Sequence, residues 1–233
     1  MEIIPVIDLL GGIVVHAQGG VRDQYKALTS ILTDSCELEE VVRDLLRFYP
    51  FKTIYIADLD AIMRGKHNND HILRSLANHF PEVGFWLDAG IRNRAGLDKM
   101  ENLENIISVL GSESLDEIDL LIDSKLNQRT ILSLDFRYSN FLGKIELLEN
   151  SGLWTPTVII MDLDAVGRDE GPDLSLVSLL QRRRTGIWWV CAGGVRNAQD
   201  LRQLRREGVA AVLVASALHT GRLPVKLVAE FNK

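Results

Sequence analysis

The sequence predicts a single (β/α)8 barrel, and three observations lead there. Eight short runs rich in Ile, Val and Leu alternate with longer amphipathic stretches. Three motifs recur at one constant offset of 104 residues. The length, 233 residues, is close to the roughly 250 that one such barrel occupies. Apolar runs with little polar alternation suit parallel strands buried on both faces. Eight of them, separated by helical patterns, favour a parallel sheet closed on itself over an open one.

In order, the first run is Ile3–Leu9, followed by a glycine-rich and polar stretch, Gly11–Ser35, and a helical pattern at Leu38–Phe48. Thr53–Ala57 is the second run, and the helical pattern His71–Phe80 separates it from the third, Val83–Leu87. Ala95–Leu103 reads as helix before the fourth run, Ile106–Leu110, and Leu115–Lys125 as helix before the fifth, Thr130–Leu134. The sixth run, Val158–Met161, precedes the helical pattern Leu174–Arg183. The seventh, Ile187–Cys191, precedes Ala198–Glu207 and the last run, Ala210–Val214. Trp188-Trp189 reads as packing between the barrel and its helices.

The repeat sharpens this. Asp58-Leu59-Asp60-Ala61 recurs as Asp162-Leu163-Asp164-Ala165, Gly90-Ile91-Arg92-Asn93 as Gly194-Val195-Arg196-Asn197, and Gly111-Ser112 as Ala215-Ser216. Strands 2, 3 and 4 therefore correspond to strands 6, 7 and 8. Strand 1 corresponds to strand 5, with Asp8 matching Asp135 at 127 residues; the excess of 23 over 104 places an insertion within Gly11–Ser35. Two half-barrels, about residues 1–115 and 116–233, are expected to form one domain, because either half alone would leave open sheet edges. The insertion follows the first strand, on the face where catalytic loops and lids gather.

Composition excludes several functions. Lys plus Arg is 26 and Asp plus Glu is 32, a net charge of −6, which disfavours nucleic-acid binding. Cys36 and Cys191 provide no disulfide framework, and no cysteine–histidine cluster has metal spacing. No signal-peptide pattern and no membrane-length apolar run occurs, so a cytoplasmic protein is expected.

Asp8 and Asp135 end the first strand of each half. Strands 1 and 5 are opposite in a ring of eight, so a ligand between them would meet one carboxylate on each side, an arrangement suited to acid–base work. The alternative is that each caps the helix after its strand. Gly90 with Gly111-Ser112, and Gly193-Gly194 with Ala215-Ser216, each follow a strand and precede a helical pattern. Backbone N–H groups there can meet an anion, so two phosphate sites are expected, or else simple tight turns. Asp88 ends strand 3 and faces the same mouth. The Asp58/Asp60 and Asp162/Asp164 pairs suit capping or hydrogen bonding in the barrel floor better than a metal.

These motifs resemble those of the histidine-biosynthesis barrel family, which contains phosphoribosylformimino-aminoimidazole carboxamide ribotide isomerase (HisA) and the cyclase subunit of imidazole glycerol phosphate synthase (HisF). Ile4-Pro5-Val6-Ile7-Asp8-Leu9 with Gly12 is similar to the isomerase's opening motif. Gly90-Ile91-Arg92, Gly193-Gly194-Val195 and Ala215-Ser216-Ala217-Leu218 with Gly221-Arg222 resemble its phosphate loops. The resemblance runs the whole length and implies a divergent HisA-like paralogue. It implies an Amadori rearrangement of an aminoaldose to an aminoketose, with Asp8 as the base that removes the C2 proton and Asp135 as the acid that assists ring opening. It implies no cofactor and a small, bis-phosphorylated metabolite as partner.

The departures from the family pattern fall where substrate would be read. A threonine has become Met161, an aspartate Val166 and a second threonine Arg168; two glycines have become Asp88 and Ala89. The segment around Arg22 only loosely follows the family's loop. Such a pattern resembles the HisA-related proteins of methylotrophs and methanogens, and so implies a changed substrate in C1-carrier (methanopterin or methanofuran) metabolism. A histidine-pathway isomerase with an unusual loop and a non-catalytic phosphometabolite-binding barrel stay open.

Overall fold

The computed structural model describes the chain apart from residues 18–20, 22–24, 100–102 and 169. Eight parallel strands form the barrel: β1 (Glu2–Leu10), β2 (Thr53–Asp58), β3 (Gly84–Asp88), β4 (Ile106–Gly111), β5 (Thr130–Arg137), β6 (Thr157–Asp162), β7 (Trp188–Ala192) and β8 (Ala211–Val214). Each pairs with the next, and β8 returns to β1, with Glu2 opposite Ala211 and Pro5 opposite Val214. The side chain of Asn232 fastens this seam, accepting from Ile3 N–H at 2.6 Å and donating to Ile3 C=O at 3.2 Å.

Strand periodicity sorts side chains into two cores. Ile4, Tyr55, Trp86, Val109, Ile131, Ile159, Val190 and Leu213 fill the barrel interior. Their neighbours, among them Ile3, Ile54, Phe85, Leu132, Val158 and Val212, face the helices. The helix α1 (Leu38–Phe48) shows why: Leu38, Val41, Val42 and Leu45 form one buried stripe, with charged residues between them. By the same alternation the two tryptophans part company. Trp189 packs in the outer layer, edge-on to Trp154, as expected of the pair; Trp188 is partly exposed and stands edge-on to the barrel residue Trp86 at 5.8 Å.

The helix expected over Leu115–Lys125 is instead a 3-10 turn, Ile118–Leu121, and one short helical turn, Ser124–Asn127. Asp116 and Glu117 donate their N–H groups back to Arg92 C=O, which draws the chain out of helical register. Beyond the barrel rim, β1 and β5 each fold back as an antiparallel hairpin, through Ile13–His16 and Asn140–Leu142. The later part of the insertion lies against the β8 loop: Ile31 N–H donates to His219 C=O, and Ser30 Oγ sits 2.8 Å from His219 Nδ1. No helix of the described residues is long and apolar enough to cross a membrane.

Candidate active site

A cavity of about 980 Å³, counting its part open to solvent, occupies the C-terminal mouth of the barrel. Strand parity explains which side chains reach it. Asp8 follows Ile4 and Val6 on the inner face of β1; Asp135 follows Ile131 and Ser133 on the inner face of β5. The two carboxylates occupy matching positions: each lies opposite a residue of the returning hairpin strand, Val15 for Asp8 and Leu142 for Asp135. Both line the cavity. Neither strand leads directly into a helix, so neither aspartate caps one. Capping falls to Asp58, which accepts from Ala61 N–H at 3.2 Å at the start of α2 (Leu59–Arg64). Asp60 accepts from Gly11 N–H at 2.6 Å and braces the insertion's root. Asp162 accepts from the N–H groups of Asp164 and Ala165. These carboxylates lie at the rim, rather than in the floor.

Asp135 is buried, 4% exposed. Its Oδ1 accepts from Ser133 Oγ at 2.6 Å; its Oδ2 accepts from Ser112 Oγ and Glu113 N–H, both at 3.1 Å. Ser112 Oγ also accepts from Asp135 N–H at 2.9 Å. Burial pushes the Asp135 carboxyl up to about 7, with the charges of Asp88 and Glu113 adding to it and the Ser133 bond opposing it. It is thus a carboxyl that exchanges its proton near neutral pH, the condition for an efficient acid or base.

Asp88 ends β3 on the same wall, with Oδ1 accepting from Gly90 N–H at 3.0 Å and Oδ2 lying 3.4 Å from the Tyr55 hydroxyl. Burial, then the charges of Asp88 and its fellow carboxylates, raises the Tyr55 phenol well above its ordinary range. Gly90 takes φ +60°, and a Cβ there would lie 2.7 Å from Ile62 Cα, so the chain needs glycine for close packing.

The structure brings Asp8, Asp88, Asp135, Met161, Gly193, Gly194, Ala215 and Ser216 to the one cavity. Gly90, Gly111 and Ser112, expected as a phosphate cradle, do not line it; the Gly90 N–H and the Ser112 N–H and hydroxyl are already bonded to Asp88, Ser133 C=O and Asp135. Arg22 lies outside the described residues. On the β7–β8 side, Gly193, Gly194 and Ser216 face the cavity together with Arg222. The four-residue helical turn Ser216–His219 follows, without a side-chain cap. Ser216 Oγ lies 3.2 Å from His16 Nε2. Burial, with His16 nearby, pulls the His219 imidazole down to about 4, so it is neutral at pH 7.

Tyr55 and Glu113 also line the cavity and were not anticipated. Tyr55 was findable, since it is two residues before Ala57 on an inward-facing parity. Glu113 lies in a loop with no such periodic signal. Of the positions that depart from the family pattern in sequence, Asp88, Met161, Val166 and Arg168 are wall residues, while Ala89 is buried in the core outside the cavity.

A family model described as "Histidine biosynthesis protein" matches residues 2–224. An uncharacterized protein of Methanocaldococcus jannaschii is 33% identical, over 97% of this chain and 96% of its own length. A 1-(5-phosphoribosyl)-5-((5-phosphoribosylamino)methylideneamino) imidazole-4-carboxamide isomerase of Caldanaerobacter subterraneus is 24% identical, over 97% and 95%. Its counterpart from an Anaeromyxobacter species is 29% identical, over 96% and 95%.

Proposed function

The chain belongs to the histidine biosynthesis protein family, and from that premise we propose that it is a HisA-like isomerase acting on a phosphorylated, sugar-containing metabolite other than the histidine-pathway ribotide. The observation that carries the reading is the facing pair Asp8 and Asp135 in one cavity, one of them a carboxyl that titrates near neutrality. In the proposed reaction, protonated Asp135 gives its proton to the ring oxygen of an aminoaldose as the ring opens to the imine. Asp8 then takes the C2 proton. The electron pair moves into the C1–C2 bond and onto nitrogen to give an enaminol. Asp8 returns its proton to C1 while the C2 hydroxyl proton passes to Asp135, which leaves the aminoketose and restores both carboxyls. The imine acidifies C2–H, so the chain's own carboxylates suffice. The phosphate sits beside Gly193, Gly194 and Ser216, where the Ser216 hydroxyl and the Arg222 guanidinium lie on the cavity wall.

A changed substrate is supported by the wall positions Met161, Val166 and Arg168, which alter what the reacting part of the ligand touches. Placement in C1-carrier metabolism rests on the resemblance in sequence; a deletion strain that loses growth on one-carbon substrates, yet needs no histidine, would support it. The test of the reaction is to incubate the protein with a panel of N-substituted 5-phosphoribosylamines and follow the aminoketose by NMR. Turnover by the wild type and its loss in Asp8→Asn is the expected outcome; failure of every aminoaldose to react sinks it. The named isomerases at 24% and 29% identity favour one second reading, the histidine-pathway enzyme itself. Complementation of an isomerase-deficient histidine auxotroph decides between them. Binding without turnover, unaffected by loss of Asp8 and Asp135, would leave a non-catalytic barrel.

A further inference from the structure

The two sides of the cavity differ in charge, and the difference bears on the ligand's chemistry; the inference rests on the isomerase reading and refines it. On the β3–β4 side, the donors of a phosphate cradle already have acceptors. Gly90 N–H donates to Asp88 Oδ1 at 3.0 Å, and Ser112 N–H to Ser133 C=O at 2.9 Å. Ser112 Oγ and Glu113 N–H donate to Asp135 Oδ2 at 3.1 Å. The wall there presents Asp88, Glu113 and Asp135. A Cβ on Gly111 would sit 3.3 Å from both the Asp88 and the Asp135 Oδ2 atoms, so those two carboxylates flank one Cα and leave no room for a tetrahedral anion between them.

The β7–β8 side, 104 residues on, carries Ala192 where the first has Asp88, and Ala217 where it has Glu113. Its Gly194 N–H is engaged as Gly90 N–H is, by Ala165 C=O at 3.1 Å, so the two sides differ in their carboxylates and in the serine hydroxyl, not in that donor. Among the described residues, the guanidinium side chains on the cavity wall, Arg168 and Arg222, follow β6 and β8. A second phosphate at Gly90–Ser112 would lose its hydration, find spent donors and face carboxylates, which is the arrangement that rejects an anion.

We propose that the ligand carries a single phosphate, seated on the β7–β8 side, and that Asp88 and Glu113 are specificity-determining residues that exclude a phosphate from its other end. The substrate class is therefore a monophosphorylated aminosugar whose far substituent is uncharged or cationic, not a bisphosphate.

The probes are ribose 5-phosphate and ribulose 1,5-bisphosphate, measured by calorimetry, with sulfate located in crystals grown at saturating sulfate. The wild type should hold one sulfate, at Gly194–Ser216, and bind the bisphosphate at least tenfold more weakly than the monophosphate. Asp88→Gly with Glu113→Ala should add a second sulfate near Gly90 and close that gap. Asp88→Asn with Glu113→Gln keeps the shapes and removes the charge, so a closed gap there too assigns the exclusion to charge and covers a failure of the smaller variant to fold. A sulfate at Gly90–Ser112 in the wild type overturns the proposal, as does equal or tighter binding of the bisphosphate, or no sulfate at Gly194–Ser216. The two readings fail separately. Single-phosphate binding without turnover of any aminoaldose removes the isomerase and keeps this proposal; turnover of a bis-phosphorylated aminoaldose does the reverse.

Discussion

The β3–β4 side and the β7–β8 side of the mouth carry the same loop motif and spend it differently. Ser112 and Ser216 stand 104 residues apart in matching sequence contexts. Ser112 is 1% exposed and both donates to and accepts from Asp135, so it belongs to the interior. Ser216 lines the cavity beside His16 and stays within reach of a ligand. A hydroxyl at the same place in a motif is structural or ligand-facing according to whether a neighbouring carboxylate claims it. Shared motif is therefore no guarantee of shared role.

Five substitutions break or sharpen that contrast. The largest effect is expected at the centre, between the sides: Asp8→Asn keeps size and polarity but cannot accept a carbon-bound proton, and kcat should fall by about 10² to 10⁴ with ligand affinity nearly unchanged. Stopped-flow or single-turnover rates beside a binding isotherm measure both.

Next comes Asp135→Asn, where rate and stability should move in opposite directions. The folded carboxyl titrates near 7, above its ordinary value of 3.8. Between those values the folded state holds more protons than the unfolded, so stability falls as pH rises from about 4 to about 7 and then levels. The amide carries no such penalty, since its oxygen can replace Oδ2 and its NH₂ can donate to Ser133 Oγ. The variant should be more stable than the wild type at pH 8, by on the order of a few kcal/mol, and lose that advantage near pH 4. Urea denaturation at the two pH values reads it; equal gains at both would remove the titration from the explanation. Its kcat should fall, though less than in Asp8→Asn.

The remaining pair places one substitution on each side. Ser112→Ala strips a donor from Asp135 and leaves the Asp135 N–H unpaired in the interior, a loss of about 1–3 kcal/mol of stability. Ser216→Ala should leave the melting temperature within a degree or two of the wild type, and weaken phosphate-ligand binding by roughly tenfold, the size of one hydrogen bond to a charged group. Similar readouts from both serines would dissolve the contrast. Ser216→Glu should abolish ligand binding by putting charge against phosphate.

The fold was largely legible in the sequence because barrel strands announce themselves as apolar runs, and all eight runs form strands of the barrel. The missed helix after β4 was a matter of tertiary override: Leu115–Lys125 has helical spacing, but Arg92 C=O captures two of its N–H groups. In the site, inward parity delivers Asp8, Asp88 and Asp135 from the pattern alone. Whether a donor is free or spent depends on side-chain direction across neighbouring strands, which residue spacing does not encode. That is why the spacing of Gly90 and Ser112 does not show that Gly90 N–H bonds to Asp88 and the Ser112 hydroxyl to Asp135, nor that Glu113 lines the cavity.

The seam between β1 and β8 bears on how the molecule is made. Glu2 meets Ala211, and Ile3 meets the Asn232 side chain 229 positions away. A ribosome delivers residues in order at about 5–20 per second, so β1 waits roughly ten seconds or more before its last partner emerges. For that time its edge is open to other nascent chains. Contacts of such long sequence separation also form late in refolding. The seam is thus the place where expression temperature and chaperone supply should decide yield, and where dilution during refolding should help most.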